Sequence, residues 1–323
     1  MKVLVTGITG FAGSYMADYL LERGDCEVYG IKRWSSRLRN VKHILDKIKL
    51  HDCDIQDYTS VHHMLDTIRP DRIFHLAAQS YVSPSWNMPF LYFDVNVKGT
   101  LNILESMREL KIDPLMHISG SGEEYGLVYP NEVPIKEDNP LRPVNPYAVS
   151  KVAQSLICYE HFKSYGQRLI RTRAFNNEGP RRDNVFAFAS FAYQIAMMEI
   201  KGTERVIRVG NLTAKRDFTH IKDIVTGYWM ALDKGEPGEL YCLGANHVRT
   251  IREGLDYLIS RSTVKGIKVF EDPKLVRPTE VPLLVSNTTK LKKQTGWEPK
   301  YSFEQIMDDI MEYWRIFVRD NWY

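Results

Sequence analysis

Lys2-Val-Leu-Val-Thr-Gly7-Ile-Thr-Gly10-Phe-Ala-Gly13 is the stretch that decides the fold of this chain. Its apolar run predicts a buried strand, and three spaced glycines follow where a helix is expected to begin. Glycine permits a tight turn and a close approach of backbone to pyrophosphate, while a helix N-terminus favours an anion. We therefore predict that this turn, including Thr9, Phe11 and Ala12, binds a dinucleotide.

The rest of the first half alternates short apolar runs with amphipathic stretches, a pattern typical of βαβ units. Strands are predicted at Val3–Thr6, Cys26–Ile31, Lys47–Leu50, Arg72–Leu76, Leu115–Ile118 and Arg168–Arg173. Helices are predicted at Gly13–Arg23, Thr59–Ile68 and Tyr92–Leu110, and from about Tyr147 to Tyr165. The fold class predicted is α/β, a doubly wound parallel (Rossmann) sheet whose ligands lie outside the carboxyl ends of the strands.

The second half is less regular. Helices are expected at Phe186–Lys201, Thr250–Ser260 and Phe303–Val318, with a strand at Val206–Val209. We expect residues 1–173 to form the dinucleotide-binding domain, with segments near 211–245 and 283–300 returning to it. Residues 174–323 would mainly form a smaller α/β lobe that binds the substrate.

Composition excludes several classes of function. The 323 residues are 44% hydrophobic and 26% charged, with a net charge of +3, and no basic block suggests nucleic acid. No uncharged apolar run approaches the roughly 20 residues that span a membrane. Four scattered cysteines argue against a metal site or a disulfide framework, and they favour a cytoplasmic protein.

The end of the second predicted strand bears on the cofactor. Arg33 stands where an NAD-preferring site would usually offer an acidic residue, and its guanidinium suits a 2′-phosphate. This favours NADP(H) over NAD(H), with a solvated surface arginine as the alternative. Asp54-Ile55 could contact adenine, and Leu76-Ala77-Ala78 could let the backbone approach the cofactor; both stretches could equally serve packing.

Tyr147-Ala-Val-Ser-Lys151 carries the chemistry. A tyrosine and a lysine four residues apart share a helix face, so the ammonium can favour the phenolate and depress the phenol's pKa. Such a phenol can exchange a proton with an alcohol near neutral pH. Ser121, just beyond the fifth strand, could hydrogen-bond the same substrate oxygen, and Glu123 could take a proton from carbon or water.

Several further stretches in the right order resemble the extended short-chain dehydrogenase/reductase family, and more narrowly its GDP-sugar branch of GDP-mannose 4,6-dehydratases and GDP-4-keto-6-deoxymannose reductases. The stretches are Gly30-Ile-Lys-Arg33 with Ser35-Ser36, Phe175-Asn-Asn-Glu-Gly-Pro-Arg-Arg182, Gly210-Asn-Leu-Thr-Ala-Lys-Arg-Asp217, Arg277-Pro-Thr-Glu280 and Thr295-Gly-Trp-Glu-Pro299. The resemblance spans essentially the whole chain.

The resemblance implies roles for particular residues. Tyr147 and Lys151 correspond to the family's catalytic pair and are also implied to bind the cofactor. Ser121 corresponds to the family's hydroxyl residue, and Glu123 matches the dehydratases' glutamate. Substrate-binding positions are implied at Ser85, Asn176, Arg181, Arg216, Arg277 and Glu280, and Arg182 beside Arg181 is also expected to line the cleft. The implied ligands are NADP and a GDP-linked sugar, and relatives are often homodimers or homotetramers.

The net reaction is left open between alternatives that share the Tyr/Lys pair. A dehydratase, which we favour, oxidises C4, loses water across C5 and C6, and returns the hydride to C6. A reductase would only deliver hydride to a 4-keto sugar, and Gly122, where dehydratases carry serine or aspartate, favours it. A 4-epimerase and a catalytically idle NADP-sensing scaffold are the remaining alternatives. Only the dehydratase demands a base at C5. Whether Glu123 acts as that base therefore distinguishes the dehydratase from the other enzymes.

Overall fold

The computed structural model describes residues 1–320, and its first half alternates strands with helices. The strands are β1 (Lys2–Thr6), β2 (Glu27–Lys32), β3 (Lys49–Asp52), β4 (Arg72–His75), β5 (Leu115–Ser121) and β6 (Leu169–Ala174). The helices are α1 (Phe11–Arg23), α2 (Tyr58–Ile68), α3 (Pro89–Phe93), α4 (Gly99–Glu109) and α5 (Pro146–Tyr165).

The stretch predicted as one helix over Tyr92–Leu110 is instead divided. Between α3 and α4 the backbone makes a π-helical turn at Asp94–Lys98. The Asn96 side chain from this turn accepts a hydrogen bond from the Gln79 amide at 2.8 Å and donates to the Gln79 carbonyl at 3.1 Å. The interruption therefore ties the helix to the loop that follows β4.

The second half adds shorter elements. They are β7 (Asn176–Glu178), α6 (Ala187–Lys201), β8 (Val206–Val209), β9 (Lys215–His220), α7 (Ile221–Lys234), β10 (Leu240–Leu243), β11 (Val248–Thr250), α8 (Ile251–Ser260), β12 (Lys268–Glu271), β13 (Leu283–Leu284), α9 (Thr289–Thr295) and α10 (Phe303–Asp320). The last three residues of the predicted substrate lobe, 321–323, lie outside the described residues.

Seven strands form one parallel sheet in the order β3-β2-β1-β4-β5-β6-β10. The strand order reverses between β1 and β4, so the crevice expected for a ligand opens at their carboxyl ends. Val3, Leu4 and Val5 are fully buried, because helices cover both faces of the sheet. The predicted doubly wound fold class is confirmed.

The chain returns to this sheet after residue 173. β10 pairs with β6, and α7 packs on the first-half core through Ile224 and Tyr228. Leu291 of α9 and Trp297 belong to the same core. The proposed division at residue 173 stays a prediction.

The smaller lobe has its own apolar core between α6, α8 and α10, built around Phe188, Ile195, Leu255, Ile310 and Trp314. β9 pairs with β7, β11 and β13, while β8 pairs with β12. In the described part of the chain no helix has the length and apolar character needed to cross a membrane, and no group of three or more His, Cys, Asp or Glu side chains is placed to hold a metal ion.

Candidate active site

The glycine turn after β1 is shaped by close backbone contacts. Gly7 has φ +68°, and a Cβ there would lie 2.8 Å from the Ala77 backbone. A Cβ at Gly13 would lie only 2.1 Å from the Gly7 carbonyl oxygen. Gly10 caps α1 without a side-chain hydrogen bond, so the first amides of the helix stay available to an anion.

The other residues predicted to bind the cofactor surround the same cleft, whose volume is about 540 Å³. Its walls include Thr9, Phe11, Ala12, Arg33, Asp54, Ile55, Leu76, Ala77 and Ala78. Thr6, which the sequence reasoning missed, fixes one wall: its hydroxyl accepts hydrogen bonds from the amides of Leu76 and Ala77 at 3.1 and 3.0 Å.

Arg33 lies at the rim of the cleft, one residue beyond β2. Its side chain is exposed and makes no ion pair with any residue of the described chain, whereas the neighbouring Lys32 pairs with Asp52. The Arg33 amide donates to the Ser36 hydroxyl at 3.0 Å, which fixes the turn. Its guanidinium therefore remains available to a phosphate.

Tyr147 and Lys151 stand on the first turns of α5, beside the end of β5. Asn145 begins this helix by accepting a hydrogen bond from the Ala148 amide at 2.7 Å, and Pro146 occupies its first position. Both catalytic candidates line the cleft and are nearly buried, 8% and 3% exposed. The capped start of α5 thus sets where the phenol lies.

The electrostatics of this pair differ from expectation. Burial raises the pKa of Tyr147 above its ordinary value, although the nearby Ser121 side chain opposes the rise. Burial also lowers the pKa of Lys151 to about 8. The predicted depression of the phenol's pKa is therefore not found in the protein alone: burial disfavours the phenolate, and the Lys151 ammonium is hydrogen-bonded to the Ser119 carbonyl and to Gln154.

Two consecutive glutamates follow Ser121 and have different surroundings. Glu124 is fully buried; it pairs with Arg173 at 2.6 Å and accepts a hydrogen bond from the Ser121 amide at 2.8 Å. Glu123 lines the cleft and makes no ion pair within residues 1–320; Asn145 donates a hydrogen bond to it at 3.2 Å. Of these two glutamates, Glu123 is the one placed to exchange a proton with a ligand.

The Glu124–Arg173 pair was not identified from the sequence. It holds the Ser121 backbone, and Arg173 also stacks over Tyr125 at 4.7 Å from the ring centroid. An arginine near the end of a strand in the buried sheet is the signal that could have revealed it, because a buried charge requires a partner.

The side of the cleft formed by the smaller lobe carries arginine and glutamate side chains. Asn176, Arg216, Arg277 and Glu280 all line it, as predicted. Arg216 is 4% exposed and lies 3.8 Å from Glu280. Burial lowers the pKa of Arg216, and Glu123 is the strongest of the neighbours that oppose the shift. A buried guanidinium in a cleft wall suits an anionic group of a ligand.

Arg181 is outside this cleft, which corrects its predicted role. It pairs with Asp18 of α1 at 2.6 Å and lies over the Tyr15 ring at 4.4 Å from the centroid. The next residue, Arg182, does line the cleft, and its guanidinium lies 3.9 Å from the Phe186 ring centroid. Asp18 provides a carboxylate for Arg181, and the residue order in the motif could not distinguish the two arginines.

Ser85 is a second correction. It is fully buried behind the wall, and its hydroxyl has no hydrogen-bond partner among the residues that the structure describes. Ser83, from the same short helical turn, lines the cleft. A step of two residues in this 3₁₀ turn rotates the side chain by about two-thirds of a turn, so the two serines point in different directions.

A doubly wound sheet with a glycine turn at its switch point, facing a Ser-Tyr-Lys constellation, defines a member of the extended short-chain dehydrogenase/reductase class. Residues 4–310 match the family model described as GDP-mannose 4,6 dehydratase. The chain therefore belongs to the GDP-mannose 4,6-dehydratase family. The predicted family and the predicted enzyme class are confirmed.

Individual proteins agree with this assignment. The GDP-mannose 4,6-dehydratase of Vibrio cholerae serotype O1 is 33% identical, over 95% of this chain and 92% of the relative. GDP-mannose 4,6 dehydratase 1 of Arabidopsis thaliana is 34% identical, over 96% of this chain and 88% of the relative. The structure of RMD from Pseudomonas aeruginosa complexed with NADPH superimposes with a TM-score of 0.84 at 28% identity, covering 97% of this chain and 98% of that one.

Proposed function

We propose that this chain is an NADP-dependent dehydratase that converts GDP-mannose, or a closely related GDP-hexose, to its 4-keto-6-deoxy form. The observation that carries the proposal is the state of Glu123. Its carboxylate lines the cleft and makes no ion pair in the described chain, whereas Glu124 forms a buried ion pair with Arg173. A base poised beside Tyr147 is what dehydration needs and simple reduction does not.

The residues present fit an NADP cofactor. The turn at Gly7–Gly13 offers backbone amides to the pyrophosphate, and the exposed Arg33 offers a forked donor to a 2′-phosphate. Asp54 and Ile55 would lie by the adenosine, and Leu76–Ala78 by the nicotinamide half. When bound, the nicotinamide supplies the hydride acceptor for C4 and the hydride donor for C6.

Tyr147 and Ser121 act on the sugar 4-hydroxyl. The Tyr147 oxygen takes the proton of the sugar 4-hydroxyl as the C4 hydride departs, and Ser121 holds the same oxygen by a hydrogen bond. A cationic ring beside the buried phenol would favour the phenolate, which offsets the effect of desolvation. Lys151 holds its ammonium within the same wall through the Ser119 carbonyl at 2.6 Å.

Glu123 acts at the next carbon. The 4-keto group makes the C5 proton acidic, and the Glu123 carboxylate removes it as the C6 hydroxyl leaves as water. The protons taken from O4 and C5 balance the one that leaves in water and the one returned to C5. The net change is loss of one water from the sugar, with the cofactor regenerated.

The GDP end of the substrate would lie against the smaller lobe. Arg216 is buried and basic, as a diphosphate site requires, and Arg277 and Glu280 line the same wall. A carboxylate such as Glu280 can accept hydrogen bonds from ribose hydroxyls. Asn176 lies between the two lobes, at the start of β7, where it can contact the sugar.

The test is to incubate the protein with GDP-mannose and catalytic NADP⁺ and follow the sugar by NMR. A 4-keto-6-deoxy product formed without net NADPH supports the proposal. No product there, with stoichiometric NADPH consumption on the 4-keto sugar, would instead establish a reductase. Interconversion of the C4 epimers would establish an epimerase, and silence in all three assays would leave a binding protein.

The reductase is the second candidate because of Gly122. A Cβ at this position would lie 3.1 Å from the Phe175 ring, so the backbone next to Glu123 has little room for a second polar side chain. Dehydratases carry a serine or an aspartate at this position, whereas a reductase loses no C6 hydroxyl and needs no polar group there. The assay with GDP-mannose separates the two.

We further propose a homo-oligomer located in the cytoplasm. Val149, Leu156 and Tyr159 of α5 are 39%, 56% and 43% exposed and share one face of the helix, which suits a second copy of the chain. A dimer through this face is expected in light scattering, and Leu156→Glu should dissociate it; a tetramer would require a further surface. The free thiols of all four cysteines favour a reducing compartment.

A further inference from the structure

Gln154 of α5 makes two directed hydrogen bonds, one within its own helix and one to α4. It is 1% exposed and lies one turn beyond Lys151. Its side-chain carbonyl accepts a hydrogen bond from the Lys151 ammonium. Its side-chain amide nitrogen donates to the Thr100 hydroxyl at 2.6 Å. The two ends of one amide thus face a cation and a hydroxyl oxygen.

The partners beyond Gln154 fix the direction of every hydrogen bond. The Thr100 hydroxyl donates to the Asn96 carbonyl at 2.7 Å, so it must accept from the His75 ring nitrogen Nε2 at 2.9 Å. His75 Nδ1 is then an acceptor, and the Thr6 hydroxyl donates a hydrogen bond to it at 2.8 Å. Burial lowers the pKa of His75 to about 3, so the ring is neutral and has this one donor and one acceptor.

The chain of hydrogen bonds ends on the wall that faces the glycine turn. The Thr6 hydroxyl donates its hydrogen bond to His75, and its oxygen accepts hydrogen bonds from the amides of Leu76 and Ala77. Thr6, His75, Thr100 and Gln154 are each at most 1% exposed, so water does not compete for these bonds. A continuous buried network therefore joins Lys151 to the backbone of that wall.

We propose that Gln154 is a positioning residue, which holds the Lys151 ammonium in place and is itself fixed through Thr100, His75 and Thr6 to the dinucleotide-binding wall. The assignment rests on the proposed function, in which Lys151 belongs with Tyr147 to the catalytic pair and contacts the cofactor. An amide suits the place because its carbonyl faces the ammonium while its nitrogen donates to Thr100. A leucine there would remove the acceptor, and a glutamate would keep the acceptor and add a negative charge.

The charges around Lys151 come from several elements. Glu124 and Cys158 favour its protonated form, and its own charge lowers the pKa of His75 and of His117 on β5. These four groups are unchanged by a substitution at Gln154. A shift in the titration of Lys151 then reports the loss or gain of the contact with residue 154.

The experiment is a pH titration of the Lys151 side chain by NMR of carbon-13 lysine, in the full chain, with the signal assigned by Lys151→Arg. Gln154→Leu removes a hydrogen bond to the charged form, so the midpoint should fall by about one unit or more. Gln154→Glu should move it upward. NADPH binding, followed by fluorescence, should weaken about tenfold in the leucine variant.

Gln167 provides the matched control. It is also a buried glutamine, and its amide nitrogen donates to the Leu104 carbonyl at 2.8 Å, away from Lys151. Gln167→Leu should lower the thermal unfolding temperature and leave the Lys151 midpoint and NADPH affinity unchanged. Equal midpoints in wild type and both Gln154 variants, or shifts of the same sign in both, would overturn the proposal.

These readouts do not require turnover. Opposite shifts at Lys151 in a protein that fails to dehydrate GDP-mannose would uphold the positioning role and reject the proposed function. Dehydration of GDP-mannose with no shift of the Lys151 midpoint in either variant would uphold the proposed function and reject the positioning role. Should Gln154→Leu fail to fold, Gln154→Glu still decides, because an unmoved or lowered midpoint contradicts the inference.

Discussion

Replacing Glu123 by glutamine removes a proton acceptor while keeping its shape. The introduced amide can still accept the 3.2 Å hydrogen bond from Asn145, so the loop beyond β5 should not move. General-base catalysis typically contributes about 10²–10⁴-fold to a rate, and dehydration should slow by at least about 100-fold. NADP binding should be unchanged, because the substitution lies outside the glycine turn.

The first half of the reaction should survive in Glu123→Gln. The Glu123 charge raises the pKa of Tyr147, so its removal lowers that pKa and moves the pH dependence of C4 oxidation toward acid. Hydride would leave C4, but without loss of the C5 proton it could not be returned to C6. Enzyme-bound NADPH should therefore accumulate on mixing with GDP-mannose and NADP⁺.

The assay is stopped-flow absorbance of NADPH, with NMR of the sugar in D₂O to detect deuterium at C5. Tyr147→Phe is the contrasting variant, and it should form neither NADPH nor product. The reasoning fails if Glu123→Gln dehydrates GDP-mannose at the wild-type rate. It also fails if C5 exchanges deuterium normally in that variant, because another group would then be the base.

Three further outcomes follow from the cofactor side, and one from the core. Arg33→Ala should raise the NADPH dissociation constant about 10- to 100-fold and leave NADH binding unchanged, by fluorescence titration; equal losses for both would exclude a 2′-phosphate contact. Gly13→Ala should abolish NADPH binding and lower the unfolding temperature, because its Cβ would lie 2.1 Å from the Gly7 oxygen; normal binding would contradict the tight turn. NADPH affinity should fall as the pH rises through about 8, where Lys151 loses its proton, and Lys151→Arg should remove that dependence. Glu124→Gln should cost about 3–5 kcal/mol in urea unfolding, because a guanidinium is left buried and unpaired; a loss below about 1 kcal/mol would refute this.

The sequence carried most of the fold because its signals are local. The run before Gly7, the cap at Asn145 and the apolar face of α10 each specify an element without reference to the rest of the chain. The π-helical turn at Asp94–Lys98 was missed, since the Asn96 contacts that accompany it come from a loop distant in sequence. Tertiary contacts decide such interruptions.

The candidate site divides in the same way. Tyr147 on α5 and Arg216 on β9 line the cleft, whereas Arg181, between β7 and α6, and Ser85, in a short helical turn, do not. The pKa of Tyr147 was misjudged because burial is a property of the whole fold. Gln154 gave no signal, since a glutamine on a helix is ordinary until its partners are known.

The place of β10 at the edge of the main sheet has a consequence for biosynthesis. β6 is complete at residue 174, yet its outer partner ends only at Leu243, after much of the smaller lobe has been made. During translation the outer edge of β6 therefore keeps unpaired backbone amides and carbonyls until β10 has been made. Such an edge can pair with strands of other chains. A ribosome-bound chain halted before residue 240 should depend on chaperones to stay unaggregated, and one extended past α9 should not.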